Sequence, residues 1–302
     1  MRLALAALLT LLCHPALAQV LRVEQVAENV YAIVGPLSQR DPENLGNNAT
    51  FGLVVTQDGA VLIDAGAGWQ AAEELHKVIR TVTDQPVTHV INSGGQDHRW
   101  LGNGYWQAQG ATVMASNDAV ADHKDRQSVQ LTILRQLVGD GLNGTEPAYA
   151  TVTWDDAHDM TLGGVRFEIR HPGAAHTPGD SFVWLPDHAT VFTGDMVYVE
   201  RMLGVGPMSN SAEWVTGFEA MAALKPTHVV PGHGAPTDLA TATRDTYDVL
   251  VNLRSQVGAL IEDGGDIIDA PKVDQSAFSY LENFEGLAGR NAQEVYSQME
   301  WE

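Results

Sequence analysis

Residues 91–103 read Ile91-Asn92-Ser93-Gly94-Gly95-Gln96-Asp97-His98-Arg99-Trp100-Leu101-Gly102-Asn103, and this stretch decides the fold. It follows an apolar strand predicted over residues 86–91 and ends in a turn rich in Gly and Asn. An Asp-His pair directly after a strand, joined by His residues from later loops, is how a metal site is assembled from distant pieces. The stretch therefore predicts a metal site, although Ser93 and Gly95 stand where further ligands are expected.

The first eighteen residues have the composition of a cleaved export signal. Arg2 gives a short positive region, residues 3–12 form an apolar run, and Ala16-Leu17-Ala18 is a small-residue cleavage sequence. The run is shorter than the roughly 20 apolar residues that a membrane-spanning helix needs. We therefore expect a periplasmic or secreted protein that is cleaved after Ala18 and has no membrane anchor.

Composition limits the classes of function. Cys13 is the only cysteine, so cleavage leaves no thiolate for catalysis or metal binding and no disulfide. The formal net charge of −21 argues against a nucleic-acid partner, because binding nucleic acid needs clustered Lys and Arg. A small-molecule substrate is expected, and the sequence leaves the oligomeric state open.

Strands and helices follow one another in two similar series. Asp58-Gly59 between two apolar runs predicts a hairpin, and helices are predicted over 69–82, 117–140, 239–261 and 290–301. Several strands, a helix and a strand occur twice, which predicts two sheets packed face to face with helices outside. No linker interrupts residues 19–302, so we expect a single domain.

Four positions place metal-competent side chains directly after predicted apolar strands. They are Asp97-His98, His176, Asp195 and His233. Any one of them alone is more often a turn former or a hydrogen-bonding residue than a ligand. All four in this order are much harder to explain as turns, and together they indicate a metal site.

With these motifs the chain resembles the metallo-β-lactamase superfamily. The resemblance rests on Asp64, Asp97-His98, His176-Thr177-Pro178-Gly179-Asp180, Thr193-Gly194-Asp195 and Pro231-Gly232-His233-Gly234. It implies an α/β (α+β) fold, a four-layer αββα sandwich with the metal site at the edge between its sheets. It implies no single substrate, since the scaffold serves lactams, thioesters, phosphoesters and sulfate esters.

The chain departs from the family's first motif, which is His-x-His-x-Asp-His. Registered on Asp97-His98, the two leading His positions fall on Ser93 and Gly95. Those two His would join His176 in holding a first metal. Zinc normally takes three or four protein ligands. We therefore expect the first metal site to be lost or very weak.

The second site is better preserved. The resemblance assigns its metal to Asp97, His98 and His233, with Asp195 as the shared ligand, so one zinc ion is expected rather than two. This implies a zinc-dependent hydrolase that uses a metal-activated water on an ester, thioester or amide-like bond. Asp97, a freed His176 or Gln96 could each orient that water, and the sequence does not choose among them.

Further residues are expected around the ligands. Asp64, Ser93 and Gln96 would support the ligand loop, as outer carboxylates and polar groups do. Trp100 and Met202 would line a substrate pocket or pack their loops against the sandwich. The altered motif also supports an alternative, a catalytically silent relative that serves as a binding or accessory protein in a periplasmic system, such as sulfur oxidation or a quinoprotein system.

Overall fold

The computed structural model describes residues 20–302. The predicted export signal lies outside the described residues. Within them, no helix has the length and apolar character needed to cross a membrane.

The first sheet has seven strands that lie in chain order. They are β1 (Arg22–Ala27), β2 (Val30–Val34), β3 (Thr50–Thr56), β4 (Gly59–Ile63), β5 (Val87–Ile91), β6 (Thr112–Ser116) and β7 (Val152–Trp154). Strands β1 to β4 pair antiparallel, whereas β4 to β7 pair parallel. The Asp58-Gly59 hairpin is present, with Thr56 opposite Gly59.

The second sheet has five strands in the order β12-β11-β10-β9-β8. They are β8 (Ala157–Leu162), β9 (Val165–Arg170), β10 (Phe182–Leu185), β11 (Thr190–Phe192) and β12 (His228–Val230). Only the pair β11 and β12 is parallel. A buried apolar layer joins the two sheets, with Phe167 and Phe192 facing Ile63 and Ile91.

Helices cover both outer faces. They are α1 (Trp69–Ile79), α2 (Asp97–Trp100), α3 (Asn103–Ala108), α4 (Asn117–Val138), α5 (Ser211–Ala222), α6 (Leu239–Ala242), α7 (Asp248–Glu262) and α8 (Phe284–Met299). Leu75 of α1 packs on the first sheet, and Leu253 of α7 packs on the second. The four-layer αββα sandwich is therefore confirmed.

Two helix predictions were wrong in detail. The helix predicted over 239–261 is divided by a π-helical turn, Thr243–Tyr247. In this turn Asp245 accepts a hydrogen bond from the backbone of Glu200, and the Thr246 hydroxyl donates to the Tyr198 carbonyl at 2.6 Å. These tertiary contacts favour the wider turn. The last helix begins at Phe284, before the predicted start at 290.

The ends of four strands meet at one edge of the sandwich. Asp64 follows β4, the 92–98 loop follows β5, Asp195 follows β11 and His233 follows β12. Because β4 and β5 are parallel, and β11 and β12 are parallel, their carboxyl ends lie on the same side. The topology thus brings the sequence-distant motifs together.

Candidate metal centre

Three buried side chains converge at this edge: His98, Asp195 and His233. One ligand atom from each lies within 4.8 Å of the other two, so the group could hold a metal ion. His98 is on the short helix α2, Asp195 is in the turn Gly194–Met196, and His233 is in the loop after β12. Two imidazoles and one carboxylate match the ligand set of catalytic zinc sites.

The hydrogen bonds of His233 leave one ring nitrogen facing the centre. Its Nδ1 lies 2.8 Å from the Asn48 carbonyl, which can only accept, so Nδ1 carries the proton. Nε2 therefore presents a lone pair, and it lies 3.2 Å from Asp195 Oδ1. Burial also lowers the pKa of His233 well below its usual value. Two acceptors facing each other at this distance favour a cation between them.

His98 offers a second nitrogen to the same place. Its Nε2 is buried without a hydrogen-bond partner and lies 3.3 Å from Asp195 Oδ2. Its Nδ1 lies 3.2 Å from Asp97 Oδ1. The same Nδ1 also lies 3.2 Å from Arg40 Nη2, which can only donate. A metal ion on Nε2 would select the tautomer in which Nδ1–H is donated to Asp97, as in metal sites whose histidines are oriented by carboxylates. The residues present therefore fit a metal ion.

Arg99 is the functional residue that the sequence analysis missed. It is fully buried, and its guanidinium binds Asp195 through Nη2–Oδ1 at 2.7 Å and Nε–Oδ2 at 3.2 Å. Its Nη1 donates to Asp64 Oδ2 at 2.8 Å. Although burial raises the pKa of Asp195, Arg99 and His98 hold it well below the usual range. One signal in the sequence was the position of Arg99, directly after His98 and at the edge where Asp64 and Asp195 were also expected.

The structure favours another role for Asp97 than that of a ligand. Its Oδ1 pairs with Arg40 at 2.8 Å, and it is not part of the three-residue group. Asp97 instead lies behind His98, where it can orient the imidazole.

The consecutive pair that reaches Asp195 is His98-Arg99. In the family pattern both members of the Asp-His pair lie at the metals, so the structure favours a registration one residue later than the sequence analysis used. The two leading His positions then fall on Gly94 and Gln96. A Cβ at Gly94 would lie 2.1 Å from Asp180 Oδ1, so the fold leaves no room there for a ligand side chain.

Asp64 holds the ligand loop. It accepts hydrogen bonds from the Ser93 amide at 2.7 Å and from the Ser93 hydroxyl at 2.9 Å. Asp64 has a φ of 73°, a left-handed conformation that Asp tolerates better than most residues. Gln96, the third predicted supporting residue, donates to Asp97 Oδ1 at 3.3 Å.

A cavity of about 350 Å³ opens onto the centre. Its walls include Gln96, His98, His176, Met202 and His233. His176 lies outside the three-residue group, and its Nδ1 donates to the Gly204 carbonyl at 2.8 Å, which leaves Nε2 free. The expectation that the first metal site is lost stays a prediction.

Trp100 does not line this cavity, contrary to one of the two readings of the sequence. It is fully buried and stacks on His123 with ring centroids 4.4 Å apart. Its indole donates to Gln130 Oε1 at 2.8 Å. Trp100 therefore packs α2 against α4.

Comparison with known proteins agrees with the observed fold. The family model described as the metallo-beta-lactamase superfamily matches residues 46–233. A metallo-beta-lactamase from Pontibacter korlensis superposes with a TM-score of 0.63 at 24% identity, covering 77% of this chain and 99% of its own.

Two further solved structures have the same fold. The stereoselective inverting sec-alkylsulfatase Pisa1 from Pseudomonas sp. has a TM-score of 0.71 at 15% identity, covering 91% of this chain and 50% of its own. The DIM-1 metallo-beta-lactamase has a TM-score of 0.58 at 19% identity, covering 76% and 97%. At these identities the likeness concerns the fold alone.

Proposed function

The chain belongs to the metallo-β-lactamase superfamily, and from this membership we propose that it is a hydrolase holding one zinc ion between His98, Asp195 and His233. The observation that carries the proposal is the pair of imidazole nitrogens, each within 3.3 Å of an oxygen of the same buried carboxylate. The proposed substrate is a small molecule with an ester, thioester or amide-like bond.

The chain's own residues prepare the centre for this chemistry. The Asn48 carbonyl and Asp97 orient His233 and His98, and Arg99 fixes Asp195. A bound zinc ion would supply Lewis acidity and an acidified water. His176 lines the same cavity, and with Nδ1 donating to Gly204 its Nε2 could accept a proton.

Export to the periplasm or outside the cell is part of the proposal. It is supported by the charged start, the apolar run and the small-residue sequence that ends at Ala18. The strongly acidic composition supports a partner other than nucleic acid.

The first test is elemental analysis of the mature protein together with two variants. We expect about one zinc per chain in the wild type and almost none in His233→Ala, because two ligands do not normally hold zinc. The control is His158→Ala, whose side chain lies on β8 outside the centre. Ester and thioester turnover should be abolished by a chelator and restored by zinc. A wild-type protein without metal after zinc loading would exclude the proposal.

Arg99 favours a second candidate function. Its permanent charge pairs with both Asp64 and Asp195, so one of the two negative charges is compensated without a metal. The chain could then be a catalytically silent binding or accessory protein in a periplasmic system. Absence of metal and of chelator-sensitive turnover across the substrate panel would support this candidate over the hydrolase.

A further inference from the structure

The cavity beside the metal centre has an unusual charge. The chain carries 38 Asp and Glu residues against 17 Lys and Arg. The cavity wall nevertheless contains three arginines, Arg40, Arg201 and Arg290, and no Asp or Glu. The charge of this wall is therefore opposite in sign to that of the chain as a whole.

Arg201 is the central feature of this wall. Its relative exposure is only 6%. Among the described residues, no carboxylate oxygen lies within 4.0 Å of its guanidinium nitrogens, so Arg201 forms no salt bridge. Its guanidinium makes two long hydrogen bonds, to the Ser38 carbonyl at 3.3 Å and to Gln39 Oε1 at 3.4 Å. Its Nε has no partner. The carboxylates of Asp195 and Glu282 act on Arg201 only from beyond salt-bridge distance. A buried cation without a direct counter-charge is costly, which indicates a missing anion.

Two further guanidinium groups flank Arg201. Arg40 pairs with Asp97 at 2.8 Å but leaves its own Nε buried without a partner. Burial lowers the pKa of Arg201, and the charge of Arg40 lowers it further, whereas Tyr198, Asp195 and Glu282 act in the opposite direction. The two cations therefore repel one another. Arg290, on α8, is exposed at the mouth of the cavity. An anion between these groups would relieve both the repulsion and the burial cost.

We propose that this cavity binds an anionic group of the substrate, a carboxylate, sulfate or phosphate, on Arg201, with Arg40 beside it and Arg290 at the entrance. A planar guanidinium matches two oxygens of such a group in one plane. His98 and His233 share the cavity wall with the arginines, so the bound anion would lie beside the metal centre. That the anion belongs to a substrate of the enzyme rests on the proposed function. Anion binding itself requires no metal.

The test measures binding of inorganic sulfate, inorganic phosphate and benzoate to the mature protein by calorimetry at constant ionic strength. The first two probe a tetrahedral oxyanion and the third a carboxylate. We expect saturable binding of at least one probe, weakened tenfold or more in Arg201→Gln and several-fold in Arg290→Gln. The matched control is Arg166→Gln, because Arg166 is 52% exposed on β9 outside the cavity wall; it should bind as the wild type does.

Two designs keep the outcome decisive. If Arg201→Gln fails to fold, Arg290→Glu is used, since its exposed position carries little folding risk, and it should also weaken binding. Each titration is run on chelator-treated and on zinc-loaded protein. Binding without any turnover or metal uptake would support the anion site and contradict the hydrolase. Failure of all three probes to bind, or equal binding by wild type and both cavity variants, would overturn the anion site, even in an enzyme active on neutral esters.

Discussion

At the scale of single residues, Arg99 dominates the centre. It is one of the largest fully buried side chains and spans two carboxylates that come from different sheets, Asp64 after β4 and Asp195 after β11. Its Nη2 also donates to the Gly232 carbonyl at 2.9 Å, next to His233. One guanidinium therefore ties together three of the loops that form the candidate site.

Removing this cation should be strongly destabilising. We expect Arg99→Met to lower the free energy of unfolding by about 3–5 kcal/mol, because it leaves two buried carboxylates uncompensated. Urea unfolding measures this. The control Arg22→Met removes an exposed pair with Glu24 and should change stability little. Equal midpoints for Arg99→Met and the wild type would show that the buried pairing contributes nothing net.

The side chains of three consecutive residues at the centre point in different directions. Asp97, His98 and Arg99 are consecutive, yet they face Arg40, the metal centre and the Asp64–Asp195 pair, respectively. We expect Asp97→Asn to retain metal, because its carboxylate lies behind His98 and pairs with Arg40. Metal content after dialysis distinguishes it from His98→Ala, which should lose the ion. Loss of metal in both variants to the same degree would restore Asp97 as a ligand.

At the scale of elements, α4 fixes the ligand loop. His123 Nε2 lies 3.0 Å from the Gly94 carbonyl, and Gln130 Nε2 donates to the Gly95 carbonyl at 2.7 Å. The helix itself starts at a Ser116 cap, whose hydroxyl accepts from Ala119 N at 3.0 Å. The long helix thus positions a loop that has little regular structure of its own.

The buried His123 of α4 predicts a pH dependence of stability. Burial lowers the pKa of His123 to about 3, whereas the unfolded chain titrates near 6.5. Between these values the unfolded state binds a proton that the folded state does not. Stability from this group is therefore present above about pH 6.5 and is lost as the pH falls, by up to about 1.4 kcal/mol per pH unit.

We expect His123→Phe to flatten the acid limb of the stability profile relative to the wild type, since it keeps an aromatic stack on Trp100 without a titrating ring. Urea unfolding between pH 4 and 7 measures the difference in slope. His158→Gln is the control, because His158 is only partly buried on β8. Parallel profiles for His123→Phe and the wild type would refute the assignment.

At the scale of the whole molecule, the C-terminal helices complete the cavity. The family model ends at residue 233, but α8 supplies Arg290 and Asn291 to the cavity wall. Asn291 donates to the Leu203 carbonyl at 2.8 Å and accepts from the Val205 amide at 2.9 Å. The same loop carries the Gly204 carbonyl that orients His176. The last helix therefore lines the cavity with Arg290 and holds the 203–205 loop through Asn291.

Asn291→Ala should loosen this loop. We expect a loss of about 2 kcal/mol, at roughly 1 kcal/mol for each hydrogen bond, and faster amide exchange at Val205. Hydrogen exchange read by mass spectrometry locates the effect. Asn252→Ala, which removes an exposed hydrogen bond to Asp274, is the matched control and should leave residues 203–205 unchanged. Equal protection of Val205 in both variants would contradict the role of Asn291.

The sequence by itself determined the sandwich and the edge where the site lies. Apolar periodicity and turn residues are local signals, so the 56–59 hairpin and the helix after Ser116 could be read directly, and the ordered motifs indicated the superfamily. Only the tertiary structure decided that His98 and Arg99, and not Asp97, contact Asp195, because these contacts join the helix after β5 to the turn after β11.

Pairing between distant residues was also beyond the sequence. Arg99 meets Asp64 and Asp195, and Arg40, Arg201 and Arg290 share one wall, only after the two sheets and α8 have packed. Charge compensation depends on which residues are close in the folded chain, and no local sequence pattern indicates contacts between residues so far apart. The fold followed from local patterns, whereas the chemistry of the site depended on long-range contacts.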